Sequence, residues 1–407
     1  MILERAHTPI SNDLFLNDFI GEDFLEEIIS IDSQVKNLKG IEKVQLRLKE
    51  EFERLSFKTE MISNPLIESA PLLIAKRVTH PLNKTVTFIA HSDVVASLKK
   101  TPFKKCEHFI HGAGVADDKG GVTLCLKALD LFFQSNQKYH LNFNVVISPN
   151  EETGSTGFHT IFSRMGKESD YILGLEPALQ DGSIINKRSG NRWYHLCATG
   201  IAAHSGRFGN DYINAAHHLS LIISKIHSLN DEENQRRMNV GSFHGGNGGF
   251  NTICDRAFAK IDARFSSFEC REILHKAFED IIQKTTVSCP YSQKLGQLIY
   301  TIEDDCPPMS ESQSIEETQI LLNAIEKYEY HRPSLNHAGG AADINYFAHP
   351  NKFLLDGLGP IGGKLHTTEE YIDRKSLWSR TQALSDFLVS LNEKSKQERR
   401  SHDDFNN

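Results

Sequence analysis

Residues 141–157 read LNFNVVISPNEETGSTG. An apolar run, Phe143 to Ile147, stops at Pro149-Asn150, and two adjacent glutamates, Glu151 and Glu152, precede a Gly-Ser-Thr-Gly turn. A run this short, bounded by turn residues, predicts a buried strand. A strand covered on both faces needs neighbours beside it and helices above and below, so this segment points to an α/β layer structure. Carboxylates just past the carboxyl end of such a strand sit where open α/β sheets place their active sites. Taken alone, a Glu-Glu pair is more often a solvated acidic turn. The rest of the chain decides between the two.

The flanking sequence repeats the strand–helix rhythm. Apolar residues at helical spacing predict two helices within residues 23–57, separated near Leu38-Lys39-Gly40, and a further helix from Lys119 to Phe133. Strands are predicted at 71–74, 85–90, 142–148 and 171–175, with a helix near 158–164. The pattern changes after Asn186-Lys187-Arg188-Ser189-Gly190. Residues 191–200 and 237–265 read as antiparallel strands with Gly-rich turns, interleaved with helices at about 211–228 and 268–283. That order, strand–helix–strand–strand–helix–strand, is the pattern of a small ferredoxin-like α+β sandwich. After Pro307-Pro308 the first rhythm resumes, with a helix near 314–328, a strand at 352–355 and a long helix from 374 to 393. The expectation is a discontinuous α/β domain, 1–187 plus 309–407, whose mostly parallel sheet is flanked by helices. An α+β domain, 188–308, is inserted in it. The polar tail from Glu393 is expected to fray.

Composition narrows the function classes. Lys+Arg 45 against Asp+Glu 53 gives a net charge of −8, which supports neither a nucleic-acid partner nor docking on an anionic membrane. No apolar stretch approaches the length of a membrane span, and Met1-Ile2-Leu3-Glu4-Arg5 lacks the apolar core of a secretory signal. The seven cysteines form no Cys-x-x-Cys pair, so the expected compartment is a reducing cytoplasm.

Against that background the polar residues at the strand ends converge. His91-Ser92-Asp93 follows the strand 85–90, Asp117 sits immediately before a helix, Glu151-Glu152 follows 142–148, and Glu176 follows 171–175. If those strands are parallel neighbours, all four sites open on one sheet edge. Imidazole with several carboxylates and no thiolate suits zinc or a similar divalent ion in a hydrolytic site. The carboxylates outnumber the needs of one ion, so two ions sharing a bridging group would use them, with one carboxylate left as general base. Asp118 is read as a solvated carboxylate at a helix start. The run Glu303-Asp304-Asp305 is read as a solvated turn.

These residues resemble the dinuclear-zinc metallopeptidase and deacylase family of glutamate carboxypeptidase, acetylornithine deacetylase, succinyl-diaminopimelate desuccinylase and aminoacylase. The resemblance rests on ordered blocks spanning nearly the whole chain. They are His91-x-Asp93, Gly112-x-Gly114-x-x-Asp117-x-Lys119-Gly120-Gly121, Glu151-Glu152-x-Gly154, Leu175-Glu176-Pro177, and His366 in Leu365-His366-Thr367-Thr368-Glu369-Glu370. The resemblance implies that Asp117 bridges two divalent metal ions, zinc first, with cobalt or manganese as alternatives. It gives His91 and Glu176 to one ion, Glu152 and His366 to the other, and leaves Glu151 as the general base with Asp93 orienting His91. Glu at 176 resembles the carboxypeptidase and deacylase branches more than the tripeptide aminopeptidases.

In the insert, His204 resembles the family histidine that crosses to the active site of a partner subunit and holds the oxyanion. Asn251 and Arg264 resemble the substrate-engaging pair, and the Gly339-Gly340-Ala341-Ala342-Asp343 turn the loop near the substrate backbone, with Gly340 as its substrate-binding residue. Two departures stand out. Ala342 replaces a common Ser or Thr, and Cys254 replaces a common Pro. The implied protein is a homodimeric carboxypeptidase or N-acyl amino acid deacylase acting on a small substrate. A dipeptidase or aminopeptidase of the same fold, or a catalytically silent binding protein, is the alternative.

Overall fold

The computed structural model describes residues 21–95, 101–135, 138–311, 314–349 and 351–405; Met1 to Arg5 and Asn406-Asn407 lie outside them. The chain begins with α1 (Glu22–Ser30), α2 (Leu38–Arg54), β1 (Lys58–Ile62), β2 (Leu72–Arg77) and β3 (Lys84–His91). Next come β4 (Lys104–Lys105), β5 (Phe109–His111), α3 (Lys119–Gln134), β6 (Leu141–Ser148), α4 (His159–Glu168), β7 (Tyr171–Gly174) and β8 (Ile184–Arg188). A second group follows: β9 (Gly190–Thr199), α5 (Ala215–His227), β10 (Arg236–Gly245), β11 (Arg256–Phe265), α6 (Phe268–Lys284) and β12 (Gln297–Cys306). The chain closes with α7 (Ile315–Glu329), β13 (Leu335–Ala338), β14 (Phe353–Leu355), β15 (Gly362–Gly363), β16 (Tyr371–Asp373) and α8 (Arg374–Phe405).

The main sheet has the order β1-β2-β6-β3-β7-β14. β6, β3, β7 and β14 are parallel, and β2 and β1 are added antiparallel at one edge. β6 is buried along its whole length because it lies between β2 and β3. Leu141, Phe143, Val145 and Ile147 face a core built with α2, α3 and α8, while Val146 faces a second core with Phe158, Phe162 and Phe347. The two asparagines that interrupt the run are buried with their hydrogen bonds made. Asn144 Nδ2 donates to Thr87 Oγ1 (3.2 Å), and Asn142 Nδ2 donates to the carbonyls of His80 (2.9 Å) and Asn83 (3.0 Å). A polar residue is tolerated in such a strand on those terms.

β9 to β12 form a separate antiparallel sheet, order β10-β11-β9-β12, with its own apolar core under α5 and α6. α5 starts at Ala215, later than the periodicity predicts, because the Asn214 side chain accepts from the amides of Ala216 and His217 and caps the helix there. Both crossings between the two sheets meet at Asn345. Its Nδ2 donates to the carbonyls of Ser189 (3.2 Å) and Pro307 (2.9 Å), and its Oδ1 accepts from the amide of Ala342 (3.1 Å).

Two sequence expectations are corrected here. Glu303-Asp304-Asp305 lies within β12, not in a solvated turn. Asp304 accepts from Tyr346 Oη (2.9 Å) and Asp305 pairs with Arg192 (2.9 Å) and Arg271, so these carboxylates bind the second sheet to its surroundings. Over the described part of the tail the chain is helical rather than frayed: α8 runs to Phe405. Lys394 contacts Glu316 (2.6 Å) and Glu317 (2.8 Å), and Lys84 contacts Glu398 (2.7 Å). No helix among the described residues is long and apolar enough to cross a membrane.

Candidate metal centre

Parallel neighbours end together. β6, β3 and β7 finish at Ser148, His91 and Gly174, and the turns beyond them carry Glu151-Glu152, Asp93 and Glu176 along one edge. Asp117 arrives from the loop before α3. Gly121 in the first turn of α3 makes that approach feasible, since a Cβ there would lie 2.2 Å from the Leu175 carbonyl. His366 enters from the loop between β15 and β16.

Asp117 lies between two imidazoles. Its Oδ1 is 2.9 Å from His91 Nε2 and its Oδ2 is 3.1 Å from His366 Nε2. Glu176 Oε1 is 3.8 Å from His91 Nε2, and Glu152 Oε2 is 3.5 Å from His366 Nε2. Donor atoms of His91, Glu151 and Glu176 lie within 4.8 Å of one another, as do those of His91, Asp117 and Glu152. All five residues read from the sequence as metal-ligating are therefore in one cluster.

Electrostatics describe a site crowded with negative charge. Burial, reinforced by Glu176 and Asp343, pushes the Glu151 carboxyl well above the usual range, and burial raises Glu152 to about 7 and Glu176 to about 8. Asp117 is also buried, but its hydrogen bonds to His366 and His91 outweigh burial and hold it low. The same contact with Asp117 lifts His366 to about 9. Carboxylates this close and this dry cannot all ionise without a cation among them. Glu152 Oε1 is buried with no hydrogen-bond partner, and the donors are nitrogen and oxygen throughout, so the residues fit one or more divalent ions.

The surrounding contacts refine the sequence reading. Asp93 Oδ1 is 3.4 Å from His91 Nδ1, while the Asp93 main-chain carbonyl is nearer, at 3.0 Å. The Asp93 carboxylate instead accepts the amides of Glu151 (3.1 Å) and Glu152 (3.1 Å), fixing the short 3-10 turn on which both glutamates sit. Asp118 is not solvated. It is fully buried, both carboxylate oxygens lack a hydrogen-bond partner, and burial with Glu176, Asp117 and Asp356 nearby raises its carboxyl well above the usual range. Helix position alone does not report this, because the burial comes from α3 pressing against Leu175 through Gly121.

Three residues receive no role of their own from the sequence, although Glu370 and Asp343 lie in its ordered blocks. Glu370 accepts three main-chain amides, Asp343 lies buried beside Glu151, and Arg188 pairs with Asp356 (2.6 Å) while donating to the Gly340 carbonyl (3.2 Å). His204 and Asn251 are exposed on the second sheet's loops, with Asn251 Nδ2 3.5 Å from His204 Nε2. Arg264 pairs with Asp262 on its own strand (2.9 Å). Among the described residues these contacts are made within the second sheet and its loops, apart from the His91–Glu176 cluster.

Residues 87–390 match the model of Peptidase family M20/M25/M40. The chain belongs to the M20 peptidase family. It is 23% identical over 381 residues to carboxypeptidase G2 of Pseudomonas sp. (strain RS-16), covering 90% of this chain and 88% of that protein. Among solved structures it resembles aminopeptidase PepT from Bacillus cereus ATCC 10987 (TM-score 0.71, 21% identity, 90% of this chain and 97% of that one). It also resembles the M20 family metallo-carboxypeptidase Sso-CP2 from Sulfolobus solfataricus (TM-score 0.70, 16% identity, 90% and 98% coverage). This M20 chain is a metal-dependent hydrolase of peptide or amide C–N bonds.

Proposed function

We propose that this M20 enzyme cleaves an amide bond beside a free carboxylate, as a carboxypeptidase or N-acyl amino acid deacylase, with two divalent ions, zinc first. The observation that carries the proposal is the Asp117 carboxylate, with one oxygen on each of two imidazoles. His91 and Glu176 would complete one ion's shell, and Glu152 and His366 the other's. Ions held there would supply polarisation of the scissile carbonyl and a lowered pKa for the attacking water.

The chain's own residues do the rest. Glu151, uncoordinated, takes a proton from the attacking water and returns it to the leaving nitrogen, so that the C–N bond breaks to a carboxylate and an amine. Asp93 keeps Glu151 and Glu152 in place by holding both their amides. Residues 188–308 act as a lid and dimerisation domain, from which His204 reaches the partner subunit's site and donates to the oxyanion. Arg264 grips the substrate carboxylate, assisted by Asn251 and the Gly340 turn; a guanidinium offers that group two parallel donors. All seven thiols are unpaired, and we place the enzyme in a reducing cytoplasm. A dipeptidase or aminopeptidase is the second reading, favoured by the Asp262 carboxylate that already occupies part of Arg264.

The test is a panel of N-acetyl, N-succinyl and peptidyl substrates assayed with zinc, cobalt or manganese, each with its carboxylate free or amidated. Turnover confined to free carboxylates is expected. Equal turnover of the amidated series would move the assignment to the second reading, and no metal after chelator-free purification would sink both.

A further inference from the structure

Glu370 ends the segment that carries His366, yet it is not among the residues grouped to hold a metal ion. It is 1% exposed, and its carboxylate collects the main-chain amides of the loop that presents Asp117. Oε2 accepts from Gly114 (2.9 Å), and Oε1 accepts from Ala116 (2.8 Å) and from Asp117 itself (3.0 Å). The contact is built by the fold. β16 pairs antiparallel with β5, Tyr371 opposite His111, which sets Glu370 beside the point where the loop leaves β5. The loop turns back through Gly114 at φ +72°, where a Cβ would come 2.5 Å from Val94 Cγ2. The adjacent Glu369 does none of this; it is exposed and pairs with Lys364 (2.8 Å).

We propose that Glu370 is a positioning residue for the metal centre, holding the main chain of Asp117 while His366, four residues earlier, meets its side chain. The inference rests on the reading of Asp117 as a metal ligand. One short segment then fixes both ends of the bridging residue, so metal affinity depends on a carboxylate that binds no metal. The chemistry singles out a carboxylate. A Gln at 370 has one acceptor oxygen where three amides converge, and its NH2 would face an N–H it cannot accept from.

The experiment measures metal affinity of the full-length protein by chelator competition with Zn2+, and records the visible spectrum of the Co2+ form. Glu370→Gln is expected to weaken affinity by about 10–100-fold, the usual effect of removing such a supporting partner. It should also change the cobalt spectrum and lose activity that excess metal restores. Glu369→Gln should behave as wild type. If Glu370→Gln does not fold, Glu370→Asp keeps the charge but retracts it by one methylene, and an affinity between wild type and a 100-fold loss is expected. Wild-type affinity and an unchanged cobalt spectrum in whichever variant folds would overturn the role of Glu370. Absence of metal binding by the wild-type chain would instead overturn the metal reading on which it rests.

Discussion

Glu151 and Glu152 are chemically identical neighbours that the fold treats differently. Their amides share the Asp93 carboxylate, but Glu152 reaches toward His366 (3.5 Å) and Glu151 toward the His91–Glu176 side. If Glu151 moves the proton, Glu151→Gln should retain the metal content of the wild type and lower kcat by about 10^2–10^4-fold. Turnover at the wild-type rate would remove Glu151 from the mechanism. The pair's position at a strand end was legible in sequence, since an apolar run stopped by Pro149-Asn150 is a local signal. The burial of Asp118 was not, because it follows from contact between α3 and Leu175, residues distant in the chain.

Elements are joined by buried polar contacts that periodicity does not report. Arg380 of α8 is 2% exposed and pairs with Glu329 of α7 (2.9 Å), while its Nη1 donates to the Gly357 carbonyl (3.2 Å). Arg380→Ala would leave the Glu329 carboxylate, itself largely buried, without its charged partner, with only the Ser379 hydroxyl (3.1 Å) still donating to it. A loss of about 3–5 kcal/mol is expected in urea unfolding of the metal-free protein. A loss within the ~0–1 kcal/mol typical of a surface pair would show that the contact is solvated in solution. The tail of α8 teaches a related lesson. Its polar composition suggests fraying, but Lys394 meets Glu316 (2.6 Å) and Glu317 (2.8 Å), and Lys84 meets Glu398 (2.7 Å). Just before the tail, Asn392 is fully buried, and its side chain accepts from the amide of His140 (2.7 Å) and donates to the carbonyl of Lys138 (3.0 Å). A helix face that pairs with an exposed strand entry can be polar and still be ordered.

The second sheet's relation to function belongs to the whole molecule. His204 and Asn251 sit exposed together, and their contacts in this chain leave them outside the cluster. If His204 serves the partner subunit's site, His204→Ala and Glu151→Gln should each be inactive alone. An equimolar mixture after subunit exchange should recover about a quarter of wild-type activity, since half of the dimers are mixed and each carries one intact site. Mixed dimers that form without recovering activity would rule out the crossing. Asn345 makes a second prediction at this scale, because it binds both crossings between the sheets to the Ala342 turn. Asn345→Ala should raise KM more than it lowers kcat, with a larger radius of gyration by solution scattering. Unchanged values of both would reduce Asn345 to packing.

Sequence by itself determined the α/β rhythm, its interruption after residue 188, and the residue types at the strand ends. These are short-range properties, set by side-chain periodicity and turn chemistry within about ten residues. It also supplied the ordered blocks that resemble one hydrolase family. Tertiary structure decided the rest: which carboxylates are dry, that Asp304 and Asp305 bind rather than solvate, and that Glu370 holds the Asp117 loop. Each of those facts joins residues tens to hundreds of positions apart, and desolvation and hydrogen-bond partnership depend on what the fold packs alongside. The run at 141–157 names two glutamates; the packing around them gives each its own surroundings.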